Sequence, residues 1–582
     1  MHKFIPLFCA LALIPVATAH AAEPIRIDPN TLAGPDGKTW ISRLSQEIRA
    51  KNTNLSEDLI VEIADGTITL DAPLRFGSGD GGSDSHSVVF RAAAGAKPVI
   101  SGGIRISGWA QSNTGLWTVQ VSLPDMRHLF VNGVRAQRAR GPFPEGAVLY
   151  GDPKRIDSDS GFTTPNVAMA TWKNHADMEL GFHNSWSHMI GKVQSITADG
   201  DTARIRMLQP WFLLMARKEG VQAKVPAYIE NALELLDEPG EWYFDRPTQT
   251  LHYMPREGEE MASATAVVPA IETLLEITGD LDAPAKNIRF EGITFADAAW
   301  LDVNTRGLAD MQANFTIVPD NLYERDGYLV NIHNEYRKSP GAIRVQHARN
   351  ITFKNCTFTR LGGAGVDFGL GVQDSSLQSC ELHDISGSGI QIGDVIADAH
   401  HPKDDRLIVR NIRVDSCTIR DIGVEFEDSI GVFAGYVQDT AITANTIYDL
   451  PYTGISIGWG WGEEDAGGST YPIPYIFDAP TPARNNRIAG NYIHHVMQKR
   501  LDGGGIYTLG NMPGTIIEGN HIHDNPGWPG GIYLDEGSGF IEVRGNRVYN
   551  VPTAMNYNNR NQDRISTCNV HDNDFQSTQK EP

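Results

Sequence analysis

One recurring position in the second half of the chain constrains the fold more than any other feature. Its occupants are spaced by 24, 37, 28, 46, 29, 26 and 27 residues: Cys356, Cys380, Cys417, Asn445, Asn491, Asn520, Asn546 and Asn573. An apolar residue follows two positions after each of them. Short β segments repeated at such intervals, without helices between them, are typical of a solenoid. The pattern predicts an all-β fold, a right-handed parallel β-helix, with an internal asparagine ladder and cysteines as apolar core residues.

A glycine followed by an apolar residue forms a second column. If the apolar residue points inward, the next residue points outward, because side chains alternate along a strand. The predicted outward residues are Asp367, Gln391, Phe433, Ser456, Tyr507, Tyr533 and Asn556. Two positions further on, Asp535 replaces a corner glycine of earlier coils, and Glu536 follows it. Insertions flank this strand on both sides, so we expect it to form the floor of a groove.

Two aspartates of this column are the candidate catalytic residues. Asp502 precedes Gly503-Gly504-Gly505, and Asp535 ends the strand of the next coil. Paired carboxylates can hydrolyse a glycosidic bond, because one protonates the leaving oxygen while the other attacks the anomeric carbon or activates water. Full extension would separate the two by ~20 Å, so the glycine run must bring them together. Aspartate is also a common turn residue, and a purely structural role is the competing interpretation.

Neighbouring side chains could bind a sugar. Aromatic rings suit stacking on pyranose faces, and polar groups suit its hydroxyls. The candidate substrate-binding residues are Glu536, Tyr507, Tyr533, Trp459, Trp528, Arg500, Asp428 and Asn558.

The chain divides into four predicted parts. Residues 1–22 have a positive start, a short apolar run and an Ala-x-Ala site, which predicts a signal peptide and a secreted or periplasmic protein. Residues 23–110 predict an N-terminal cap, with a helix near 40–51, and the first coils. Residues 111–270 predict an inserted β domain that includes an Asn132-Gly133 hairpin. Residues 271–582 predict the main β-helix with its groove.

Charge and motifs exclude several classes of function. A net charge of −22 argues against a nucleic-acid partner. No stretch approaches the ~20 apolar residues of a membrane span, and oligomeric state is left open. No metal-ligand spacing, phosphate loop or dinucleotide fingerprint is present, so we predict neither metal nor cofactor. The cluster Arg135, Arg138 and Arg140 is interpreted as a solvated strand face.

Three motifs together resemble glycoside hydrolase family 141. They are Leu129-Phe130-Val131-Asn132-Gly133-Val134-Arg135-Ala136-Gln137-Arg138-Ala139-Arg140-Gly141, then Leu501-Asp502-Gly503-Gly504-Gly505-Ile506-Tyr507-Thr508-Leu509-Gly510, then Gly531-Ile532-Tyr533-Leu534-Asp535-Glu536-Gly537. The resemblance implies a right-handed β-helix with α-L-fucosidase or xylanase activity. It also implies a paired-aspartate mechanism, with Asp502 and Asp535 at the matching positions. The segment between the last two motifs, residues 520–528, is compact and departs from the family pattern.

Three functions remain open on the sequence. The first is an exported hydrolase acting on a polysaccharide or oligosaccharide. The second is a β-helix polysaccharide lyase, which would need a basic residue such as Lys499 or Arg500 and often Ca²⁺. The third is a non-catalytic glycan-binding β-helix protein.

Overall fold

The computed structural model describes residues 23–32, 39–52, 55–155, 158–216, 225–318, 322–325, 328–331, 336–468, 476–558 and 562–577. The predicted signal peptide, residues 1–22, lies outside the described residues.

Three parallel sheets form a β-helix, and each coil passes through sheet 1, then sheet 2, then sheet 3. Sheet 1 comprises Ile25–Ile27, Leu59–Ile63, Val88–Ala92, Ala285–Glu291, Ala348–Lys354, Ser376–Gln378, Arg413–Asp415, Ala441–Thr443, Arg487–Ala489, Asn511–Glu518, Gly539–Arg544 and Asn569–His571. Sheet 2 comprises Thr67–Thr69, Val99–Ser101, Thr294–Ala298, Thr357–Leu361, Glu381–Ile385, Thr418–Arg420, Thr446–Tyr448, Tyr492–His494, His521–His523, Arg547–Val551 and Asp574–Ser577. Sheet 3 comprises Leu74–Phe76, Leu275–Thr278, Gly341–Gln346, Ala364–Phe368, Ile390–Ile392, Val432–Ala434, Ile455–Ile457, Gly503–Thr508, Pro529–Leu534 and Thr553–Tyr557. The predicted all-β parallel β-helix is confirmed.

The asparagine ladder runs through the turn between sheets 1 and 2. The side-chain amide of Asn491 donates to Oδ1 of Asn520 at 2.9 Å, and Asn520 donates in the same way to Asn546 at 2.9 Å. Each amide also bonds a backbone carbonyl of an adjacent strand, such as Ile488 for Asn520. Cys356, Cys380 and Cys417 are buried free thiols. The ladder therefore satisfies buried polar groups coil by coil, as predicted.

A single long helix lies at the N-terminal end. It spans Thr39–Lys51, and its Leu44 and Ile48 pack into the same core as the first strands, as expected for a cap. The other helices are short, namely Trp211–Ala216, Asp302–Arg306, Ala397–His400 and Gln562–Ile565. Within the described residues, no helix has the length and apolar character needed to cross a membrane.

An inserted β region leaves the β-helix between a strand of sheet 2 and the next strand of sheet 3. Its first sheet contains Gly103–Ile106, Ala266–Pro269, Leu129–Val131, Val134–Arg138, Glu241–Asp245, Thr250–Tyr253, Trp117–Gln120 and Ala110–Gln111. Its second sheet contains Arg140–Pro142, Tyr228–Glu230, Glu179–His183, His188–Asp199, Thr202–Met207, Gly161–Thr164 and Val148–Tyr150. The predicted hairpin at Asn132-Gly133 is confirmed, with both residues at positive φ.

The arginines of this region form ion pairs, some within the region and one across to the β-helix. Arg138 is buried and bonds Glu179 at 2.8 Å and Glu230 at 3.1 Å. Arg135 reaches across to Asp384 of the β-helix at 2.7 Å. The interpretation of these arginines as a solvated strand face was wrong, because their guanidinium groups serve a buried ion-pair network that sequence spacing does not reveal.

Candidate active site

The outer face of sheet 3 has the register that the sequence predicts. Adjacent strands pair Asp367 with Gln391, Phe433 with Ser456, and Tyr507 with Tyr533. Asp535 continues the corner column, since its backbone N–H donates to the carbonyl of Thr508. The alternation of inward and outward side chains therefore places these residues as expected.

The face is nevertheless covered along several coils. Residues 299–318 and 336–340, which we call the cover segment, belong to the connection from sheet 2 to sheet 3 and lie over the outward column. It contains a small sheet of Asp310–Gln312, Phe315–Thr316 and Arg337–Lys338. Lys338 pairs with Asp367 at 2.6 Å, and the Phe315 ring packs on Phe433 with centroids 4.7 Å apart. The expectation of an open groove floor was wrong over these coils.

Asp535 is a buried carboxyl group at the end of its strand. Its side chain accepts a short hydrogen bond from the hydroxyl of Tyr507 at Oδ2. Oδ1 is buried and has no hydrogen-bond partner among the described residues. Burial raises the pKa of Asp535 to about 7, and the negative charges of Asp502 and Glu536 also raise it. The hydrogen bond from Tyr507 lowers this pKa and so opposes the other effects. The group can therefore hold a proton near neutral pH.

Asp502 lies at the opposite end of the neighbouring strand. It has a φ of 64°, and its N–H donates to the carbonyl of Trp528 at 2.7 Å. The charge of Asp502 raises the pKa of Asp535. The glycine run does not fold inward to bring the two aspartates together, because Gly503–Thr508 is a continuous strand that pairs one to one with Pro529–Leu534.

A hydrogen-bonded bridge connects the two aspartates beneath the cover segment. The hydroxyl of Tyr452 donates to the backbone carbonyl of Asp502 at 3.0 Å. The amide of Gln312 donates to the hydroxyl oxygens of Tyr452 at 3.1 Å and of Tyr507 at 3.5 Å. Tyr507 in turn donates to Asp535. The bridge fixes both ends of the site to one buried amide of the cover segment.

The corner after Asp535 is supported by a loop at residues 459–468. Gly537 has a φ of 77°, and a Cβ atom there would lie 2.6 Å from the Cα atom of Gly462. Asp465 of the same loop accepts from the N–H of Asn511 at 2.9 Å and pairs with Arg564 at 3.2 Å. Gly537 and Gly462 thus allow the backbones of the corner and the loop to come into contact. The loop forms the predicted wall at this corner and fixes the orientation of Asp535.

The predicted stacking residues separate into exposed and buried groups. Trp528 is 40% exposed beside the Asp502 corner. Tyr507 and Tyr533 are buried and meet edge to face at 5.3 Å, and Trp459 is buried against Phe315. The prediction that these three rings stack on a sugar was wrong, because packing covers their faces. Gln312 and Phe315 of the cover segment contact Tyr507 and Trp459.

Three further candidates have different surroundings. Asp428 is fully buried, and its Oδ2 accepts from the backbone N–H of Asn314, so it holds the cover segment instead of facing an open groove. Asn558 is exposed in the corner column, and its backbone N–H donates to the carbonyl of Leu534. Glu536 is buried, and its carbonyl accepts from Gly510.

Arg500 positions the Asp502 corner. Its Nη2 lies 3.2 Å from Glu427, and its Nη1 donates to the carbonyl of Asn184 in the inserted region at 2.9 Å. Lys499 pairs with the same Glu427 at 2.8 Å. Both basic residues that a lyase would use are therefore engaged in structural ion pairs.

Sequence reasoning missed Gln312 and Tyr452. One signal could have found them. About forty residues separate the strand that ends at residue 298 from the strand that begins at residue 341, which is longer than the connection in an ordinary coil. An insertion of that length must fold over a neighbouring face of the solenoid.

Comparisons with known proteins agree with this architecture. A family model described as the GH141 insertion domain matches residues 114–256, and one described as a right-handed β-helix region matches residues 321–462 and 476–580. A solved structure titled "Glycoside hydrolase" is 28% identical, with a TM-score of 0.78, over 95% of this chain and 96% of that one. The resemblance to glycoside hydrolase family 141 is confirmed, because the chain carries the insertion domain named for that family. The chain is a glycosidase with a carbohydrate substrate.

More distant structures resemble this family 141 enzyme less. One is titled as a complex of XylC with xylose, with a TM-score of 0.45 and 10% identity over 86% of this chain and 65% of that one. Another is a mannuronan C-5 epimerase module from Azotobacter vinelandii, with a TM-score of 0.28 and 11% identity over 53% and 74%. A search of curated proteins found no match.

The family 141 site gives a prediction about pH. Tyr507→Phe removes the hydrogen bond that stabilises ionised Asp535, so the pKa of Asp535 should rise. The alkaline limb of the kcat profile should then move upward by about one to two pH units, as expected for a hydrogen bond to a charged group. The pH profiles of kcat for the variant and the parent test this expected shift.

The matched control is Tyr436→Phe, which changes a buried tyrosine whose hydroxyl donates to Glu464 at 3.2 Å. An unchanged or lowered alkaline limb in Tyr507→Phe would contradict the assigned bond.

Proposed function

We propose that this protein is an exported glycoside hydrolase that removes or cleaves a glycosyl unit of a complex polysaccharide. α-L-Fucosidase-like and xylanase-like activities are the two finer candidates. Asp535 serves as the general acid and Asp502 as the group that attacks the anomeric carbon or activates water. Export is supported by the signal-like residues 1–22.

The protonation state of Asp535 carries this proposal. A general acid must be protonated when substrate binds, and a pKa of about 7 provides that near neutrality. The free Oδ1 provides a direction for the proton, while Tyr507 holds Oδ2. As the glycosidic bond breaks, the leaving oxygen takes this proton, and Asp535 becomes a carboxylate that Tyr507 stabilises.

Asp502 completes the pair electrostatically. A carboxylate near the anomeric carbon stabilises the positive charge that develops on the sugar ring. It also raises the pKa of Asp535, so each group favours the role of the other. Trp528 offers the exposed ring beside Asp502 on which a sugar can stack.

A substrate screen tests the proposal. The purified protein is incubated with fucosylated pectin fragments, xylans and aryl glycosides, and the masses of the products are measured by mass spectrometry. We expect products in which one water has been added across the cleaved bond. An unsaturated product, lighter by one water and absorbing in the ultraviolet, would show elimination and overturn hydrolysis. Binding without any product would show a non-catalytic protein.

A further inference from the structure

Residues 499–501, which we call the approach segment, lead directly into Asp502. Nζ of Lys499 lies 2.8 Å from Oε1 of Glu427, and Nη2 of Arg500 lies 3.2 Å from Oε2 of the same side chain. Glu427 is buried, and the two cations compensate a charge whose burial would otherwise be costly. One buried carboxylate therefore binds both basic side chains of the approach segment.

A turn of the inserted region contacts the same segment. This turn comprises residues 184–187 and joins two antiparallel strands of that region. The carbonyl of Asn184 accepts from Nη1 of Arg500 at 2.9 Å, and the carbonyl of Ser185 accepts from the backbone N–H of Leu501 at 2.5 Å. The inserted region is therefore hydrogen-bonded to the last residue before the candidate catalytic aspartate.

The inserted region also holds Glu427 itself. The backbone N–H of Glu427 donates to Nδ1 of His188 at 3.2 Å, and its Oε2 lies 3.4 Å from Nε2 of His183. Burial lowers the pKa of His188 to about 3, so the ring is neutral and its Nδ1 can accept. Nε2 of His188 then donates to the hydroxyl of Tyr228 at 2.8 Å. Two histidines of the inserted region thus fix Glu427 at its backbone and at its carboxylate.

Glu427 belongs to a turn of the β-helix that contacts three parts of the protein. Glu425 of this turn lies 2.6 Å from Nε of Arg127 in the inserted region. Asp428 accepts a hydrogen bond from the backbone N–H of Asn314 in the cover segment. Glu427 lies between them in the chain and contacts the approach segment. The turn therefore joins both insertions to the segment that carries the candidate aspartate.

Contacts on both sides of Asp502 fix its backbone. On the C-terminal side, Gly503 pairs with Pro529 at the start of a strand of sheet 3. On the N-terminal side, the approach segment is held by Glu427 and by the inserted region. A displacement of ~1 Å can lower the rate of a catalysed reaction by about a hundredfold. The contacts of Glu427 therefore bear on the carboxylate that the proposed mechanism uses.

We propose that Glu427 is a positioning residue for Asp502, and that the inserted region completes the active site by holding Glu427 and the approach segment. This role rests on the catalytic function proposed for Asp502. Glu427 is buried and acts through the approach segment, so it needs no contact with the sugar. The inserted region thereby takes part in the reaction, although both candidate aspartates belong to the β-helix.

Glu427→Gln tests this role. Glutamine keeps the size of the side chain but removes the charge that binds Lys499 and Arg500. We expect kcat on the best substrate of the screen to fall by about a hundredfold. KM should stay close to that of the parent, because the change displaces a group of the chemical step. An unchanged kcat would overturn the proposal, and so would a rise in KM that accounts for the whole loss of kcat/KM.

The matched control is Glu518→Gln. The carboxylate of Glu518 also binds two cations, Arg487 and Arg544, each at 2.8 Å, but it lies on sheet 1. The kcat and KM of this control should equal those of the parent. A loss of kcat as large as that of Glu427→Gln would show that removing any such carboxylate has this effect, and it would overturn the assignment.

Hydrogen exchange reports on the approach segment without turnover. In Glu427→Gln, the amide of Leu501 should exchange about tenfold faster than in the parent, since its bond to Ser185 opens more often. The amide of Asp535 should exchange at the parent rate. Unchanged exchange at Leu501 beside a lowered kcat would overturn positioning as the cause of the loss.

Lys499→Met is a milder second variant. The Lys499 side chain is 54% exposed, so this variant is expected to fold even where Glu427→Gln does not. It removes one of the two cations that Glu427 binds. We expect kcat to fall by about fivefold at an unchanged KM, the upper end of the effect of a partly exposed ion pair. A kcat equal to that of the parent would overturn the proposal.

The proposed function and the role of Glu427 fail in different ways. If Asp502→Asn abolishes turnover while Glu427→Gln and Lys499→Met match the parent, the proposed function stands and the role of Glu427 fails. If the substrate screen shows no hydrolysis but exchange at Leu501 is still faster in Glu427→Gln, Glu427 positions the approach segment and the proposed function fails.

Discussion

Replacing Asp535 by asparagine is expected to lower kcat by about a thousandfold, within the range for loss of a general acid. Asparagine keeps the size of the side chain and can accept from Tyr507, but it has no proton to give to the leaving oxygen. Asp502→Asn should cause a loss of similar size, because it removes the negative charge that faces the developing cation. Initial rates on the best substrate of the screen measure both.

Two controls separate this loss from misfolding. Asp524→Asn changes a surface aspartate that pairs with His523 at 2.6 Å, and it should retain the parent rate. Thermal unfolding should show Asp535→Asn at least as stable as the parent, since a buried carboxyl group is replaced by a neutral one. A rate within tenfold of the parent for either active-site variant would remove that aspartate from the mechanism. The double variant should lose little more than each single variant, because the two groups act as a unit.

Arg127→Met should destabilise the protein by about 3–5 kcal/mol, the usual cost of removing one partner of a buried ion pair. Arg127 is buried and contacts Glu425 at 2.6 Å and Glu179 at 3.1 Å. Burial alone would raise the pKa of Glu179, but the charges of Arg127, Arg138 and Lys192 hold it well below its usual range. Methionine fills similar space and leaves both glutamates short of a cation. Denaturant unfolding measures the loss.

The control for this stability effect is Arg204→Met. Arg204 is an exposed arginine of the same inserted region, and surface ion pairs contribute only ~0–1 kcal/mol. A loss in Arg127→Met no greater than in this control would show that the buried network does not hold the inserted region. Proteolysis adds a second measurement, because Arg127 joins that region to Glu425 of the β-helix. In Arg127→Met, the protease should first cleave the junction between the inserted region and the β-helix.

The periodic parts of the structure were predictable from sequence. The asparagine ladder repeats because each coil must satisfy the same buried carbonyls, as the bonds from Asn491 to Asn520 and to Ile442 show. The outward column was predictable for an equally local reason. Alternation along a strand and one-to-one parallel pairing fix the faces of Tyr507 and Tyr533 once a single apolar position is assigned.

The surroundings of the site were not predictable in the same way. Trp459 and Asp428 lie on predicted walls, yet both are buried because Phe315 and Asn314 of the cover segment pack over them. Arg138 alternates like a solvated residue, yet it is buried because Glu179 and Glu230 of the other sheet of the inserted region pair with it. These contacts join residues at least 41 positions apart in the chain, and no local pattern encodes them.

The sequence by itself determined the solenoid, its internal ladder and the identity of the two candidate aspartates, because repeated local interactions leave a periodic record. Only the tertiary structure decided the surroundings of these aspartates. The burial that raises the pKa of Asp535 and the bridge through Gln312 depend on segments that are distant in the chain. Burial and hydrogen bonds between distant segments are properties of the packed protein, and the roles proposed for the two aspartates depend on them.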